Sequence, residues 1–148
     1  MTILLVGSGA REHAIARALD LSPQKKEIHC LASNMNPGIA GLCNELIVND
    51  INNPDIVSNY AKEAGVSLAI IGPENPLACG VADSLLDVGV SVVGPKKVLA
   101  KIETSKAFAR KLLTEYAIPG CPKYRTYSST NGVLNFLTEL GEHFVVKY

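Results

Sequence analysis

Short apolar runs alternate with amphipathic stretches through most of the chain. Residues 3–6 (Ile-Leu-Leu-Val) are wholly apolar, residues 27–32 and 45–48 are strand-like, and residues 68–71 (Leu-Ala-Ile-Ile) carry no polar position. A run without a polar face is the pattern of a parallel strand buried on both sides. Residues 90–93 close the series as a fifth strand, ended by Gly94-Pro95. Between these runs, residues 11–20 take helical spacing with Ala14, Ile15 and Leu19 on one face. Pro54 suits the first turn of a second helix, whose stripe is Ile56, Val57, Tyr60 and Ala61 and whose end is Gly65. Gly72-Pro73-Glu74-Asn75-Pro76 reads as a turn and residues 81–88 as a helix. The alternation predicts an α/β fold, an open and doubly wound parallel sheet covered by helices.

The pattern changes after Ala100. Thr104-Ser105-Lys106 can cap a helix running to Tyr116. A link rich in Pro and Gly follows at residues 118–122, then a short strand at 124–127 and a helix over 130–140. Phe144-Val145-Val146-Lys147 reads as a strand, inside which the sequence ends at Tyr148. The expected division is therefore a sheet domain over residues 1–103 and the beginning of a second, incomplete domain over 104–148.

Composition narrows the function. Hydrophobic residues make up 47% and charged residues 19%, enough for a core and far from the profile of a disordered chain. Fourteen basic residues balance fourteen acidic ones without a basic run, so neither nucleic acid nor an acidic membrane surface is an expected partner. No apolar stretch approaches the roughly 20 residues of a membrane span. The apolar run before Gly7 is too short for the apolar core of a signal peptide, and no small-residue cleavage pattern follows it. Cys30, Cys43, Cys79 and Cys121 lack C-x-x-C spacing, so buried reduced thiols are expected rather than disulfides or a zinc site.

The chemistry begins at Gly7-Ser8-Gly9, a flexible turn between a strand and a helix start. Such a turn presents backbone N–H groups and a helix dipole to an anion. A dinucleotide fits poorly. The third glycine of G-x-G-x-x-G is replaced by Glu12, which could not allow the same close helix–strand packing and would repel a second phosphate. The second strand ends in Ala32-Ser33-Asn34, without the acidic residue that holds a ribose. A single phosphate suits the amides of Gly9 and Ala10, with a charge-assisted contact from Arg11; a turn that is merely tight stands beside it. Glu12 and His13 lie in the first helical turn, where a carboxylate is stabilising on structural grounds alone, and neither is assigned as an acid or base.

Gly7-Ser8-Gly9-Ala10-Arg11-Glu12-His13-Ala14 closely resembles the N-terminal motif of the phosphoribosylamine–glycine ligases (glycinamide ribonucleotide synthetases). Asn36-Pro37-Gly38-Ile39-Ala40, Gly72-Pro73-Glu74-Asn75-Pro76-Leu77, Gly94-Pro95 and Ser105-Lys106-Ala107-Phe108-Ala109 agree in order and spacing. Val145-Val146-Lys147 resembles the first strand of the nucleotide-clasping region of ATP-grasp enzymes. The resemblance implies a Rossmann-like (pre-ATP-grasp) domain followed by the start of an ATP-grasp domain. It further implies a cytoplasmic enzyme of purine biosynthesis that joins glycine to 5-phosphoribosylamine through an acyl phosphate, with ATP as co-substrate and Mg2+ or Mn2+ as the metal. The sugar 5′-phosphate would lie near Gly7, Ser8, Gly9, Ala10 and Arg11. Asn36, Pro37, Gly38, Gly72, Pro73, Glu74 and Asn75 would complete the substrate site, with Glu74 accepting from ribose hydroxyls or the amine. Lys106 and Lys147 would contact ATP. The metal ligands and glycine site would lie beyond this chain, which alone is expected to be inactive. A sibling ATP-grasp ligase or carboxylase, an NAD(P)-binding oxidoreductase and a stand-alone phosphate-binding module are the alternatives. The sequence carries no sign of oligomeric state.

Overall fold

The computed structural model describes residues 1–146, which fall into two compact units, Met1–Ser105 and the segment from Lys106 onward. In the first unit, β1 (Thr2–Val6), β2 (Glu27–Ala32), β3 (Glu45–Val48), β4 (Val66–Ile71) and β5 (Ser91–Val93) form one sheet. Every ladder is parallel and the order is β3-β2-β1-β4-β5. The chain therefore starts in the middle of the sheet, builds outward to one edge, and crosses back to build the other side. The reversal falls between β1 and β4. In open α/β sheets the crevice outside the carboxyl ends of the strands at such a reversal is where ligands bind.

The helices connect these strands. α1 (Ala10–Leu21) follows β1, the one-turn α2 (Pro37–Ala40) follows β2, and α3 (Pro54–Glu63) follows β3. α4 (Glu74–Cys79) and α5 (Val81–Asp87) lie between β4 and β5, and α6 (Lys97–Thr104) follows β5. The period-2 alternation of β1 sends its side chains to opposite faces. Leu4 and Val6 pack with Val57 and Ala61 of α3, Leu77 of α4, Val81 and Leu85 of α5, and Ala100 of α6. Leu5 packs on the other face with Ala16 of α1, Cys30 and Ala32 of β2, and Ile39 of α2. Leu4 and Leu5 are wholly buried, and each contributes roughly 1.5–3 kcal/mol by leaving water.

Several expectations need correction. The turn after β4 is only Gly72-Pro73, because α4 already begins at Glu74. Pro76 is tolerated there since the first helical turn has no intrahelical use for its missing N–H. On α1 the buried positions are Glu12 and Ala16, whereas Ala14 is exposed. α6 had no forecast; its first amide, Lys97 N–H, donates to Asp83 Oδ2 at 2.8 Å, a start signal held by a distant residue. All four cysteines are free, but only Cys30 is buried.

The second unit contains α7 (Lys106–Glu115) and α8 (Val133–Leu140). Phe136 is its buried anchor, with the Arg125 guanidinium 4.6 Å from the ring centroid and the Tyr127 ring tilted beside it at 6.4 Å between centroids. Residues 124–127 and 144–146 form no strand, contrary to their strand-like composition. A strand needs a neighbour for its amides and carbonyls, and none pairs with these segments among the described residues. Lys147, the last residue of the expected strand, lies outside the described residues.

Candidate functional site

Three turns meet at the carboxyl edge of the sheet, those after β1, β2 and β4. The turns after β1 and β4 extend their strands: Gly7 N–H donates to Leu31 O at 2.9 Å and Gly72 N–H to Val6 O at 3.1 Å. Side chains then tie the turns together. Asn36 donates from Nδ2 to Ser8 O at 2.9 Å, while its Oδ1 accepts from Gly38 and Ile39 N–H as the N-cap of α2. Ser8 Oγ lies 2.9 Å from Ser33 Oγ. Arg11 reaches across to β4 and donates from Nη1 to Gly72 O at 2.8 Å. Gly7 to Arg11, Asn36-Pro37-Gly38 and Gly72-Pro73-Glu74 are thus brought to one place. The His13 ring packs against Gly38, where a Cβ would come within 2.7 Å of its Cε1 and Nε2.

Beneath the turns lies a charged side chain that local spacing marks only as a helix-start residue. Glu12 is 4% exposed. Its Oε2 accepts from Gly9 N–H at 2.6 Å, the reach-back bond of a capping box. Burying a carboxylate is costly unless it is hydrogen-bonded. Room for this one is made by three glycines. A Cβ on Gly7 would lie 2.7 Å from Glu12 Cγ, one on Gly9 would lie 2.9 Å from Oε2, and one on Gly72 would overlap Oε1. Glu12 therefore fills the seam between the β1 and β4 turns. The Gly9-x-x-Glu12 spacing is the only local trace of this arrangement.

The same bond changes the anion-binding inventory. Gly9 N–H, assigned to a phosphate on sequence grounds, donates to Glu12 instead. The exposed first turn of α1 still presents the amides of Ala10 and Arg11, which have no intrahelical partner. Ser8 adds a hydroxyl and Arg11 a cation. Pro37 and Pro73 have no N–H to give. Glu74 and Asn75 stand exposed in the first turn of α4, and neither side chain makes a hydrogen bond among the described residues. Lys106 is exposed at the first position of α7, in the second unit.

Two other polar clusters flank the site, one under the β1 turn and one away from the turns. Cys30 Sγ–H donates to Gly7 O at 3.4 Å. A hydrogen bond with Cys43, then burial, pushes the Cys30 thiol up, so it is a neutral donor under the turn rather than a nucleophile. Tyr60 of α3 donates its O–H to Glu45 Oε2 of β3 at 2.7 Å, and His29 Nδ1 of β2 lies 2.7 Å from the same phenol. Burial and the Glu45 carboxylate raise the Tyr60 phenol above its ordinary value of 10. The folded state thus holds this proton longer than the unfolded chain. The resulting stabilisation is complete below pH about 10 and shrinks as pH rises beyond it. Urea midpoints taken from pH 9 to 11 should fall less steeply for Tyr60→Phe than for the parent. Parallel declines would remove Tyr60 from the alkaline response.

Among the described residues, no group of three or more His, Cys, Asp or Glu could hold a metal ion. No helix among them is long and apolar enough to cross a membrane.

Comparison with known proteins adds a family. Residues 1–103 match the family described as "Phosphoribosylglycinamide synthetase, N domain". The chain is 42% identical over 142 residues to a phosphoribosylamine–glycine ligase of Methanosarcina barkeri, a match covering 96% of this chain and 33% of that protein. It therefore spans about a third of that relative's length. Solved structures also share its fold. An ADP complex of N5-carboxyaminoimidazole ribonucleotide synthetase aligns with a TM-score of 0.70 at 20% identity, over 95% of this chain and 35% of that one. Phosphoribosylglycinamide synthetase of Anaerococcus prevotii aligns with a TM-score of 0.54 at 20% identity, over 78% and 29%.

Proposed function

Because the chain belongs to the phosphoribosylglycinamide synthetase N-domain family, we propose that it is the phosphoribosyl-binding part of an ATP-dependent ligase of purine biosynthesis. The ligase joins glycine to 5-phosphoribosylamine in the cytoplasm. Glycine's carboxylate takes the γ-phosphate of ATP, and the sugar amine displaces phosphate from the resulting acyl phosphate. Mg2+ or Mn2+ would supply charge neutralisation in the transfer, held by residues of the longer ligase.

The observation that supports this reading is the convergence of three turns at the strand-order reversal, held by Arg11 on Gly72 O and Asn36 on Ser8 O. The amides of Ala10 and Arg11, the Ser8 hydroxyl and the start of α1 receive the 5′-phosphate dianion. Glu74 and Asn75, free on the neighbouring turn, receive ribose hydroxyls or the amine. Asn36, Pro37 and Gly38 wall the third side. Lys106 serves ATP from the second unit, as does Lys147. The 148 residues by themselves bind the sugar phosphate without ligating it.

Titration of isotope-labelled protein with glycinamide ribonucleotide and, separately, NAD tests this. Amide shifts at Gly7, Gly9, Ala10, Arg11 and Gly72 are expected with the ribonucleotide and not with NAD. The same shifts with NAD alone would overturn the reading in favour of a dinucleotide enzyme.

A further inference from the structure

The phosphate-turn motif carries a buried charge that binding and phosphoryl transfer leave unused. Glu12 is 4% exposed, bonded to Gly9 N–H, and enclosed by Gly7, Gly9 and Gly72. A capping box needs only the Gly9 bond and can stand in solvent. It does not require a carboxylate wedged against the turn of a strand on the far side of the reversal. The glycines on both sides of the seam leave their volume to this one side chain.

We propose that Glu12 is a specificity-determining residue that limits the turn to a single phosphate group and rejects a pyrophosphate. Two physical effects lead there. A pyrophosphate spans the Gly-rich turn and needs more of its amides than a monoester does. Here Gly9 N–H is already taken, at 2.6 Å, by the protein's own anion. The second effect is charge. A second phosphate brought to this turn would approach a carboxylate lying one hydrogen bond behind the Gly9 amide, and like charges in a poorly solvated seam repel more strongly than in water. A monoester avoids both by sitting over the free amides of Ala10 and Arg11, on the side where the Arg11 guanidinium spans to Gly72 O. At the turn itself Glu12 is thus the barrier to a dinucleotide, beside the missing ribose-binding acid after β2.

This inference rests on the phosphate reading of the turn, and the two can fail separately. Ribose 5-phosphate and ADP-ribose would be titrated into the parent protein, Glu12→Gln and Glu12→Ala, following the Gly7 to Arg11 amides and recording thermal unfolding. The parent should prefer ribose 5-phosphate by about tenfold or more. In the variants that preference should shrink by about tenfold, chiefly through tighter ADP-ribose binding. A merely structural role would weaken both ligands together and leave their ratio unchanged. A parent without preference, or an unchanged ratio in folded Glu12→Gln or Glu12→Ala, overturns the role of Glu12 alone. No response of the parent turn to ribose 5-phosphate overturns the phosphate site, and the inference with it. Glu12→Gln keeps the side chain's volume and an oxygen to accept from Gly9 N–H, so the ratio is read in it should Glu12→Ala unfold.

Discussion

Gly7→Ala is expected to lose about 3–5 kcal/mol of stability, a large part of what a domain of this size has. Two independent penalties add at this position. Gly7 has φ 126°, a region that side chains rarely enter. A Cβ there would also lie 2.7 Å from Glu12 Cγ and 2.9 Å from both Glu12 Cδ and Pro73 Cδ. Relief would require moving the buried carboxylate and the β4 turn together. Gly65→Ala isolates the first penalty, since Gly65 has φ 62° and nothing within 4 Å of an added Cβ; it should cost only about 1 kcal/mol. Denaturant midpoints at unchanged slope would give both values. A Gly7→Ala loss no larger than that of Gly65→Ala would show that the seam yields easily.

Gly72→Ala should cost about 2–3 kcal/mol through packing alone, because φ at Gly72 is not in the left-handed region. Its Cβ would overlap Glu12 Oε1 and lie 2.5 Å from Cδ and 2.6 Å from Cγ. The displaced carboxylate would also give up Gly9 N–H. The cause can be identified in a double-mutant cycle. In a Glu12→Ala background the obstruction is gone, and Gly72→Ala should add little beyond the loss already incurred. The expected coupling is about 1–3 kcal/mol, opposite in sign to the single losses. Additive losses would place the obstruction elsewhere.

Much of the sheet was legible locally. β2 and β3 have the limits that their apolar runs predict, and α3 begins at Pro54 behind the Asn53 cap as its spacing requires. In these segments hydrophobic period and turn residues agree within a few positions. α6 was illegible because its first amide is held by Asp83, 14 residues earlier. Residues 124–127 and 144–146 have strand-like composition, but a strand is defined by pairing, which composition does not supply. The site divides the same way. Its turns could be placed at strand ends, yet the bonds that join them span 28 residues for Asn36 to Ser8 and 61 for Arg11 to Gly72. Glu12 followed the local rule for helix starts, and its burial depends on a glycine of another strand.

The position of β1 has a consequence for the order in which the molecule is made. Of the five strands of this sheet the central one is synthesised first, and its ladder with β2 can close once residues 27–31 exist. Its other edge stays open until Val66–Ile71 has been synthesised. Only then does Gly72 arrive to receive Arg11 and enclose Glu12. A nascent chain ending at β3 carries the whole Gly7 to Arg11 motif but only half of the seam beneath it. Pairing across such separations is slow relative to local helix formation, so the seam is completed by the docking of β4 rather than by the appearance of the motif.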